Sequence, residues 1–281
     1  MLKTLNNKRL LQSLLVLSFG VMMSACSSLP SLPTFGSDEQ SATEAEQKTE
    51  EVLNDGTEPA AQVMSEEELA EQALMLEAQG LMASINAYQV ENQSQKKLNA
   101  SQLQNVQNAM NALAAGNTDG ALSEVQRVLD DPDFFAAPHT SVWVLRGDIH
   151  QRATNIEQAI KDYEVAIALS PNNYQALNRL GKLHRDMGNF EQAKEYYNQA
   201  LKAWPGNAST YRNRGILNDL YIGDKASALS DYRLYKALLD IQVQSTDTPA
   251  KALLKEQRLA GQWITDIKRQ LKAIAREQAN G

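Results

Sequence analysis

The sequence predicts an all-α fold in which one helix–turn–helix unit of 34 residues is repeated. Gly147, Gly181 and Gly215 follow one another at intervals of 34 residues, as do Pro171 and Pro205. Self-similarity at such a fixed period is the signature of a helical solenoid. Aromatic residues make up only 6% of the chain, while alanine, leucine, glutamine and glutamate are abundant. Period and composition therefore both favour helices over sheet.

The clearest unit spans residues 174–207. Its first helix has apolar and small residues where a second helix would pack, a turn follows at residues 187–189, and Pro205 ends the second helix. The residues at the main packing positions are Leu180, Gly181, Ala193 and Pro205. This pattern resembles the tetratricopeptide repeat, which has the same period and the signature W-x2-L-G-x2-Y…A-x3-F…P. The resemblance implies two antiparallel helices in each unit and a solenoid that acts by recognition.

Three further units resemble the same repeat. The unit 140–173 keeps the packing residues, and the unit 208–241 diverges, with one extra residue near Leu220-Tyr221. The unit 101–139 is degenerate, because Ala109 stands where the others have glycine. Divergent terminal units are expected in a solenoid, since one face has no neighbouring repeat. The structural positions predicted outside the clearest unit are Trp143, Gly147, Ala159, Pro171, Gly215 and Ala228.

The N-terminus predicts export and a lipid anchor. Residues 1–25 have a basic start, an apolar run and small residues before Cys26, as in a secretory signal peptide. Met23-Ser24-Ala25-Cys26 resembles the bacterial lipobox, which implies a diacylglyceryl thioether on Cys26 and a further acyl chain, such as palmitate, on its amino group. With Ser27 next, the resemblance implies the outer membrane of a Gram-negative cell, on the side that faces the periplasm. The alternatives are an uncleaved signal anchor and a coincidental cysteine at an ordinary cleavage site.

The rest of the chain is predicted to consist of a tether and flanking helices. Residues 26–64 are acidic and poor in large apolar side chains, which predicts a disordered tether. A capping box at Ser65-Glu66-Glu67-Glu68 begins an N-terminal helical segment over residues 65–100. Residues 249–277 are predicted to form a helix that caps the solenoid, with a dimer contact as the alternative. Its apolar stripe consists of Ala260, Trp263, Ile264, Ile267, Leu271 and Ile274.

The composition argues against several kinds of chemistry. A formal net charge of -7 does not suit general nucleic-acid binding, which needs many Lys and Arg side chains on phosphates. A single cysteine excludes an internal disulfide and a cysteine-based zinc site. His139, His150 and His184 have no metal-binding spacing, and we expect His150 and His184 to pack at equivalent repeat positions. We therefore predict no metal, no cofactor and no catalytic residue, and a protein that is not an enzyme.

The resemblance also predicts a binding groove. In tetratricopeptide-repeat proteins, the first helices of successive units line a concave face, and a fixed set of their positions contacts ligands. Carried onto this sequence, Lys182, Arg185 and Arg212 form a local basic strip suited to the carboxylates of a peptide or protein. An ordinary solvated face is the alternative. The carboxylate clamp of chaperone-binding repeats is not reproduced, because Val144 and Asp148 occupy two of its positions. The predicted groove residues are Gln175, Asn178, Lys182, Arg185, Arg212 and Ile216.

The combination of a lipobox with a short repeat array resembles NlpI-type lipoproteins and the pilotin-type lipoproteins that help to assemble pilus secretins. The resemblance implies a non-enzymatic scaffold or adaptor that binds an envelope protein or peptide. Its process would be wall remodelling or pilus or secretion assembly. Gly215-Ile216-Leu217 together with Trp263-Ile264 also resembles repeat proteins associated with TonB/ExbB-type energised systems, which implies TonB-type assembly as a further process. The alternatives are a regulator or enzyme of peptidoglycan turnover, and a structural lipoprotein that self-associates as a homodimer. The sequence does not identify the partner.

Overall fold

A computed structural model describes residues 64–93 and 97–280, and every regular element in these two ranges is helical. The predicted all-α fold is therefore confirmed. The signal peptide, the lipobox with Cys26 and almost all of the predicted tether lie outside the described residues. The elements are α1 (Glu66–Met82), α2 (Ala87–Gln93), α3 (Ala100–Ala114), α4 (Thr118–Leu129), α5 (Pro132–Ala136), α6 (Thr140–Arg152), α7 (Ile156–Leu169), α8 (Tyr174–Asp186), α9 (Phe190–Ala203), α10 (Ala208–Ile216), a π-helix (Leu217–Ile222), α11 (Lys225–Gln244) and α12 (Lys251–Asn280).

Three helical hairpins, α6–α7, α8–α9 and α10–α11, form the first, middle and last repeats. Each hairpin is closely packed at a glycine of its first helix. A Cβ atom on Gly147, Gly181 or Gly215 would lie 2.5, 2.6 or 2.7 Å from a tyrosine ring on the second helix. The tyrosines, all buried, are Tyr163, Tyr197 and Tyr232. The three glycines are therefore a steric requirement of the hairpin, which is why they recur every 34 residues.

The other predicted packing positions lie where the repeat pattern puts them. The alanines on the second helices of the three repeats are fully buried, and each predicted proline follows the end of a second helix by two residues. These residues are Ala159, Ala193, Ala228, Pro171 and Pro205. Trp143 on α6 is half-buried, and the guanidinium of Arg146 lies 4.6 Å from its ring centroid. All of these residues serve the packing of the array.

In the degenerate repeat, α3–α4, the two helices pack through smaller side chains than in the other hairpins. Ala109 on α3 and Val125 on α4 are fully buried in one apolar cluster. Val125 follows Ala121 by four residues, as each packing tyrosine follows its own alanine. A valine reaches less far than a tyrosine, so the first helix can carry an alanine where the other repeats need a glycine. The short helix α5 lengthens the connection to the first repeat.

The extra residue predicted near Leu220-Tyr221 is accommodated by the π-helix Leu217–Ile222, which continues α10 directly. A π-helical turn takes up one residue more than an α-helical turn, so the packing residues before and after it keep their places. Asn218 in this turn donates a hydrogen bond to Asp231 Oδ2 on α11 at 3.1 Å. Gly223, with φ of +83°, then redirects the chain towards α11.

The N-terminal helical segment runs along the array and does not form a further repeat. Helix α1 begins with the predicted capping box, in which the Ser65 amide donates to Glu68 Oε2 at 2.7 Å. It packs against α11 of the last repeat. Helix α2 instead lies at the first and middle repeats, where the Tyr88 hydroxyl is 2.7 Å from Thr140 Oγ1 and its ring contacts Tyr174. The segment therefore crosses the array in the direction opposite to the order of the repeats.

The C-terminal helix α12 caps the last repeat by packing against α11. Ala260 and Ile267 are fully buried, and the ring of Trp263 lies 5.3 Å from that of Tyr232. The helix spans Lys251–Asn280, where the sequence predicted 249–277. Ile274, which we expected on the packing stripe, is 40% exposed, because the described helix projects beyond the body after Leu271.

Candidate protein-binding groove

The first helices of successive repeats are joined by polar contacts. Arg179 on α8 forms an ion pair with Asp148 on α6, with Nη2 2.7 Å from Oδ2. Asn213 on α10 donates a hydrogen bond to Asn178 Oδ1 on α8 at 3.1 Å. We call the surface formed by α3, α6, α8 and α10 the groove face. It carries all six predicted groove residues, and their contact with a ligand stays a prediction.

Two predicted groove cations share one carboxylate at the C-terminal end of α8. Lys182 Nζ lies 3.2 Å from Asp186 Oδ2, and Arg185 Nη2 lies 2.9 Å from Asp186 Oδ1. Arg185 is only 8% exposed, and its guanidinium lies 5.8 Å from the ring centroid of Tyr221. The side chain of Lys182 is 43% exposed. Lys182 is therefore the most exposed cation of α8, whereas Arg185 contacts Asp186 and Tyr221 and is nearly buried.

The two predicted groove residues on α10 contact the capping helix. Arg212 Nη1 lies 3.4 Å from Glu256 Oε1 on α12, and the Tyr235 hydroxyl donates to Glu256 Oε2 at 2.8 Å. Ile216 is half-buried against a cluster that contains Ile267 of α12. Helix α12 thus contacts the groove face at its last repeat, where Arg212 is paired with Glu256 while its side chain stays 34% exposed.

In the first repeat, the groove face is organised around Asp148. The carboxylate accepts a hydrogen bond from the Tyr163 hydroxyl at 2.7 Å and also pairs with Arg179. Burial raises the pKa of Tyr163, and the negative charge of Asp148 raises it further. The hydroxyl therefore stays protonated and can donate. Val144 is buried, and Arg152 is exposed with no ion pair to any residue in the described ranges. Arg152 is therefore a second accessible cation, which belongs to the repeat before that of Lys182.

The groove face carries more cations than carboxylates. This excess contrasts with the net charge of -7 for the whole chain. Ion pairs between partly exposed side chains contribute little stability, about 0–1 kcal/mol each, so a carboxylate on a ligand can compete for the same cations. The cations with at least partly exposed side chains are Arg152, Arg179, Lys182 and Arg212, and the carboxylates paired with them are Asp148, Asp186 and Glu256 of the neighbouring α12.

Sequence reasoning missed a buried ion pair that recurs in the first and last repeats. Arg146 donates to Asp162 at 2.5 and 2.8 Å, and Arg214 Nη2 donates to Asp231 at 2.7 Å. Both carboxylate side chains are only 4% exposed. Burial raises the pKa of Asp231, and the hydrogen bonds from Arg214 oppose that shift. The signal was present in the sequence, because the two arginines are two repeat lengths apart.

The two histidines at equivalent repeat positions each contact the second helix of their own hairpin. His184 stacks on Tyr196 with ring centroids 5.2 Å apart, and His150 Nε2 lies 3.8 Å from Asp162 Oδ2. Burial lowers the pKa of both imidazoles. Within residues 64–93 and 97–280, no group of three or more His, Cys, Asp or Glu side chains could hold a metal ion. In the same ranges, no helix has the length and the apolar character that crossing a bilayer requires.

Comparison with known proteins identifies the repeat. A family profile described as tetratricopeptide repeat matches residues 106–174, 144–208 and 178–238. The chain is similar to the solved structure of a thermophilic tetratricopeptide-repeat protein from Thermus thermophilus, with 14% identity, a TM-score of 0.43 and coverage of 61% of this chain and 97% of the other. The chain is also similar to MamA from Desulfovibrio magneticus, with 12% identity, a TM-score of 0.42 and coverage of 63% of this chain and 98% of the other.

A third similar structure is the first tetratricopeptide-repeat domain of Spaghetti (RPAP3), which was solved bound to an HSP90 peptide. It has 18% identity, a TM-score of 0.38 and coverage of 42% of this chain and 91% of the other. No match was found among curated proteins. Similarity at this level does not extend to the ligands of these proteins.

Proposed function

We propose that the tetratricopeptide-repeat array of residues 106–238 is the binding surface of a scaffold or adaptor that recruits a protein partner in the bacterial envelope. Repeats of this family are protein–protein interaction modules, and the profile extends from residue 106 in the degenerate repeat to residue 238 in the last one. The observation that carries the proposal is the excess of cations on the groove face of an acidic chain, with Lys182 exposed near its centre. The partner contributes carboxylates to this face.

The proposed location is the outer membrane, on the side that faces the periplasm. It rests on the lipobox-like sequence Met23-Ser24-Ala25-Cys26, which makes Cys26 the lipid-bearing residue. Each methylene group that enters the bilayer contributes about 0.8 kcal/mol, so several acyl chains together anchor a protein durably. Wall remodelling, pilus or secretion assembly and TonB-type assembly are the processes in which we expect such an adaptor.

The groove proposal is tested by charge reversal at Lys182. Lys182→Glu adds a second negative charge beside Asp186 and should repel an acidic ligand, while Lys182 is exposed enough that folding is retained. The matched control is Lys202→Glu, the same change at an exposed lysine on the second helix of the same repeat. Partners are crosslinked and captured from envelopes that contain each full-length variant. We expect Lys182→Glu to lose its main partner and Lys202→Glu to keep it; equal capture by both would contradict the proposal.

The anchor is tested separately with labelled palmitate. We expect the label to be incorporated by the wild-type chain and to be absent from Cys26→Ser, since Cys26 is the only cysteine. Membrane fractionation of both forms shows whether the anchor sets the location. Label that persists in Cys26→Ser would overturn the lipoprotein assignment and leave the groove proposal in place.

A further inference from the structure

We infer that the groove face has an apolar subsite on α3, formed by Leu103 and Met110, and that its ligand is a two-part peptide segment. One part of the segment carries large apolar side chains and the other carries carboxylates. This inference rests on the proposed function, because it concerns the ligand of the same groove. It assigns to the degenerate repeat a role in recognition.

Leu103 and Met110 occupy groove positions of the degenerate repeat. Counted from the packing residue Ala109, Leu103 stands six residues before it and Met110 stands one residue after it. Gln175 and Lys182 hold the same two places relative to the packing glycine of the middle repeat. Since helices of one repeat type present equivalent positions on the same side, α3 presents apolar side chains where α8 presents an amide and a cation.

Both side chains are open to solvent. Leu103 is 55% exposed and Met110 is 50% exposed. The other apolar residues of this stripe on α3, Val106 and Leu113, are half-buried in the apolar cluster that α3 forms with α4 and α6. A single exposed leucine is ordinary. Two large apolar side chains that lie two turns apart on one helix face form a strip, and the flexible thioether of a methionine adapts to different partners. The strip therefore has the properties of an anchor site for apolar side chains.

The charges on the rest of the groove face determine the remainder of the ligand. Beyond α3, the most exposed cations of the groove face are Arg152 on α6 and Lys182 on α8, whereas Arg212 on α10 is 34% exposed and paired with Glu256 of α12. A ligand that fits both regions places apolar residues over α3 and carboxylates over α6 and α8. A second copy of this chain fits less well, because the exposed end of its α12 carries Lys272 and Arg276 and would bring cations to cations.

Helix spacing sets the distance between the two parts of the ligand. Packed helices lie about 8–10 Å apart, so α3 and α8 are separated by two spacings, roughly 20 Å. An extended chain spans about 3.3 Å per residue, which gives about six residues between the apolar anchor and the carboxylates. A shorter separation would leave one part of the groove face unoccupied.

The test is a selection of peptide ligands with the whole chain as isolated from expressing cells. The chain is immobilised and used to select binders from a library of random peptides, and the most enriched peptides are synthesised with a fluorescent label. Affinities are then measured for wild type, Leu103→Gln/Met110→Gln, Arg152→Gln/Lys182→Gln and the control Leu76→Gln. Leu76 is an exposed leucine on α1, outside the groove face, and is 68% exposed. Thermal unfolding of each variant confirms that the exposed substitutions leave the fold intact.

We expect enriched peptides to carry an apolar cluster and an acidic cluster in separate parts of the sequence. Leu103→Gln/Met110→Gln should weaken binding by about tenfold or more, because two apolar contacts are lost. Arg152→Gln/Lys182→Gln should weaken binding and reduce its salt dependence, and Leu76→Gln should have no effect. Peptides that respond to the cation variant but not to Leu103→Gln/Met110→Gln would overturn the apolar subsite and leave the proposed function standing. If no selected peptide responds to any groove variant, the subsite and the proposed function both fail.

Discussion

The middle repeat and its two neighbours share one hairpin geometry but fill its interior differently. In each neighbour, an arginine on the first helix pairs with a buried aspartate on the second helix, whereas the middle repeat has Leu180 and Tyr196 at these positions. The pairs are Arg146–Asp162 and Arg214–Asp231. The close glycine–tyrosine contact is the same in all three repeats. The comparison shows that the backbone requires the glycine and tolerates either a buried ion pair or an apolar pair.

The packing tyrosines differ in the same way. The Tyr163 hydroxyl donates to Asp148 at 2.7 Å, and the Tyr232 hydroxyl donates to Asp219 at 3.3 Å. The Tyr197 hydroxyl of the middle repeat is buried and has no hydrogen-bond partner within the described part of the chain. Of the three hairpins, the middle repeat therefore has the fewest polar contacts in its interior.

The largest effect is expected from breaking an ion pair of a neighbouring repeat. Arg146→Leu leaves the buried Asp162 without its main partner, and removal of one member of a buried pair costs about 3–5 kcal/mol. The double variant Arg146→Leu/Asp162→Tyr copies the middle repeat, and His150 then faces a tyrosine as His184 does. We expect the double variant to recover most of the lost stability. Urea denaturation followed by circular dichroism measures both changes.

The control for this prediction is an exposed ion pair in the degenerate repeat. Arg127 and Glu124 are 2.6 Å apart, but the arginine side chain is 60% exposed. Arg127→Leu should therefore change the free energy of unfolding by less than about 1 kcal/mol. If the double variant is no more stable than Arg146→Leu alone, the two interiors are not interchangeable and the comparison is wrong.

The sequence predicted the features that are local and periodic, and it did not predict contacts between elements far apart in the chain. The spacing of Gly147, Gly181 and Gly215 is local and periodic, so it identified the hairpins, and the extra residue near Leu220-Tyr221 could be counted directly. The contacts of Arg212 and Ile216 with α12 could not be predicted, because they depend on how α12 packs after a connecting loop. No periodic signal reports such a long-range contact.

The burial of individual side chains at the candidate site also could not be predicted from the sequence. Periodicity places Lys182 and Arg185 on one helix face, but it does not show that Arg185 is 8% exposed beneath contacts with Asp186 and Tyr221. Tyr221, which contacts Arg185, lies in the π-helix, a local geometry that residue patterns do not predict. Leu103 and Met110 were not among the predicted groove residues, and only the structure shows that about half of each residue is exposed.

The second prediction concerns the close contact between a glycine of the first helix and a tyrosine of the second helix, which the first, middle and last repeats share. Gly181→Ala would put a Cβ atom 2.6 Å from the Tyr197 ring, and overpacking of this kind costs about 1–3 kcal/mol. Gly181→Ala/Tyr197→Val copies the Ala109 and Val125 solution of the degenerate repeat and should remove the clash. The control Gly80→Ala has no neighbour within 4 Å and lies inside α1, so it should stabilise by up to about 1 kcal/mol. A stable Gly181→Ala would show that the hairpin has room that the structure does not reveal.

The third prediction uses the packing tyrosines as matched probes. Tyr163→Phe removes a hydrogen bond to a charged group, and we expect a loss of about 1–2 kcal/mol, since Asp148 keeps its pair with Arg179. Tyr197→Phe removes a buried hydroxyl without a partner and should be neutral or stabilising, within about 0.5 kcal/mol. Chemical denaturation of the two variants gives the difference directly. Equal losses would mean that the Tyr197 hydroxyl has a partner, such as a buried water molecule.

The smallest effect is a dependence of stability on pH that both kinds of repeat share. Burial lowers the pKa of His150 and His184, so the unfolded chain takes up protons before the folded chain does. Stability should therefore fall as the pH decreases below the ordinary histidine pKa of about 6.5. The capping carboxylates with lowered pKa values, Glu68, Asp131 and Asp224, act only in more acidic solution, nearer their ordinary pKa of about 4. Asp231, whose pKa burial raises, acts in the opposite direction as the pH falls, so the comparison with a variant that lacks both histidines is what isolates them.

The measurement for this prediction is the thermal unfolding midpoint as a function of pH. His150→Phe/His184→Phe should flatten the curve between neutral and mildly acidic solution, because two groups that gain protons on unfolding are removed. A weaker slope should remain, since burial also lowers the pKa of His139. His184→Phe alone keeps a ring against Tyr196 and so separates the loss of titration from the loss of packing. A curve that is unchanged in the double variant would show that neither imidazole is buried in its neutral form.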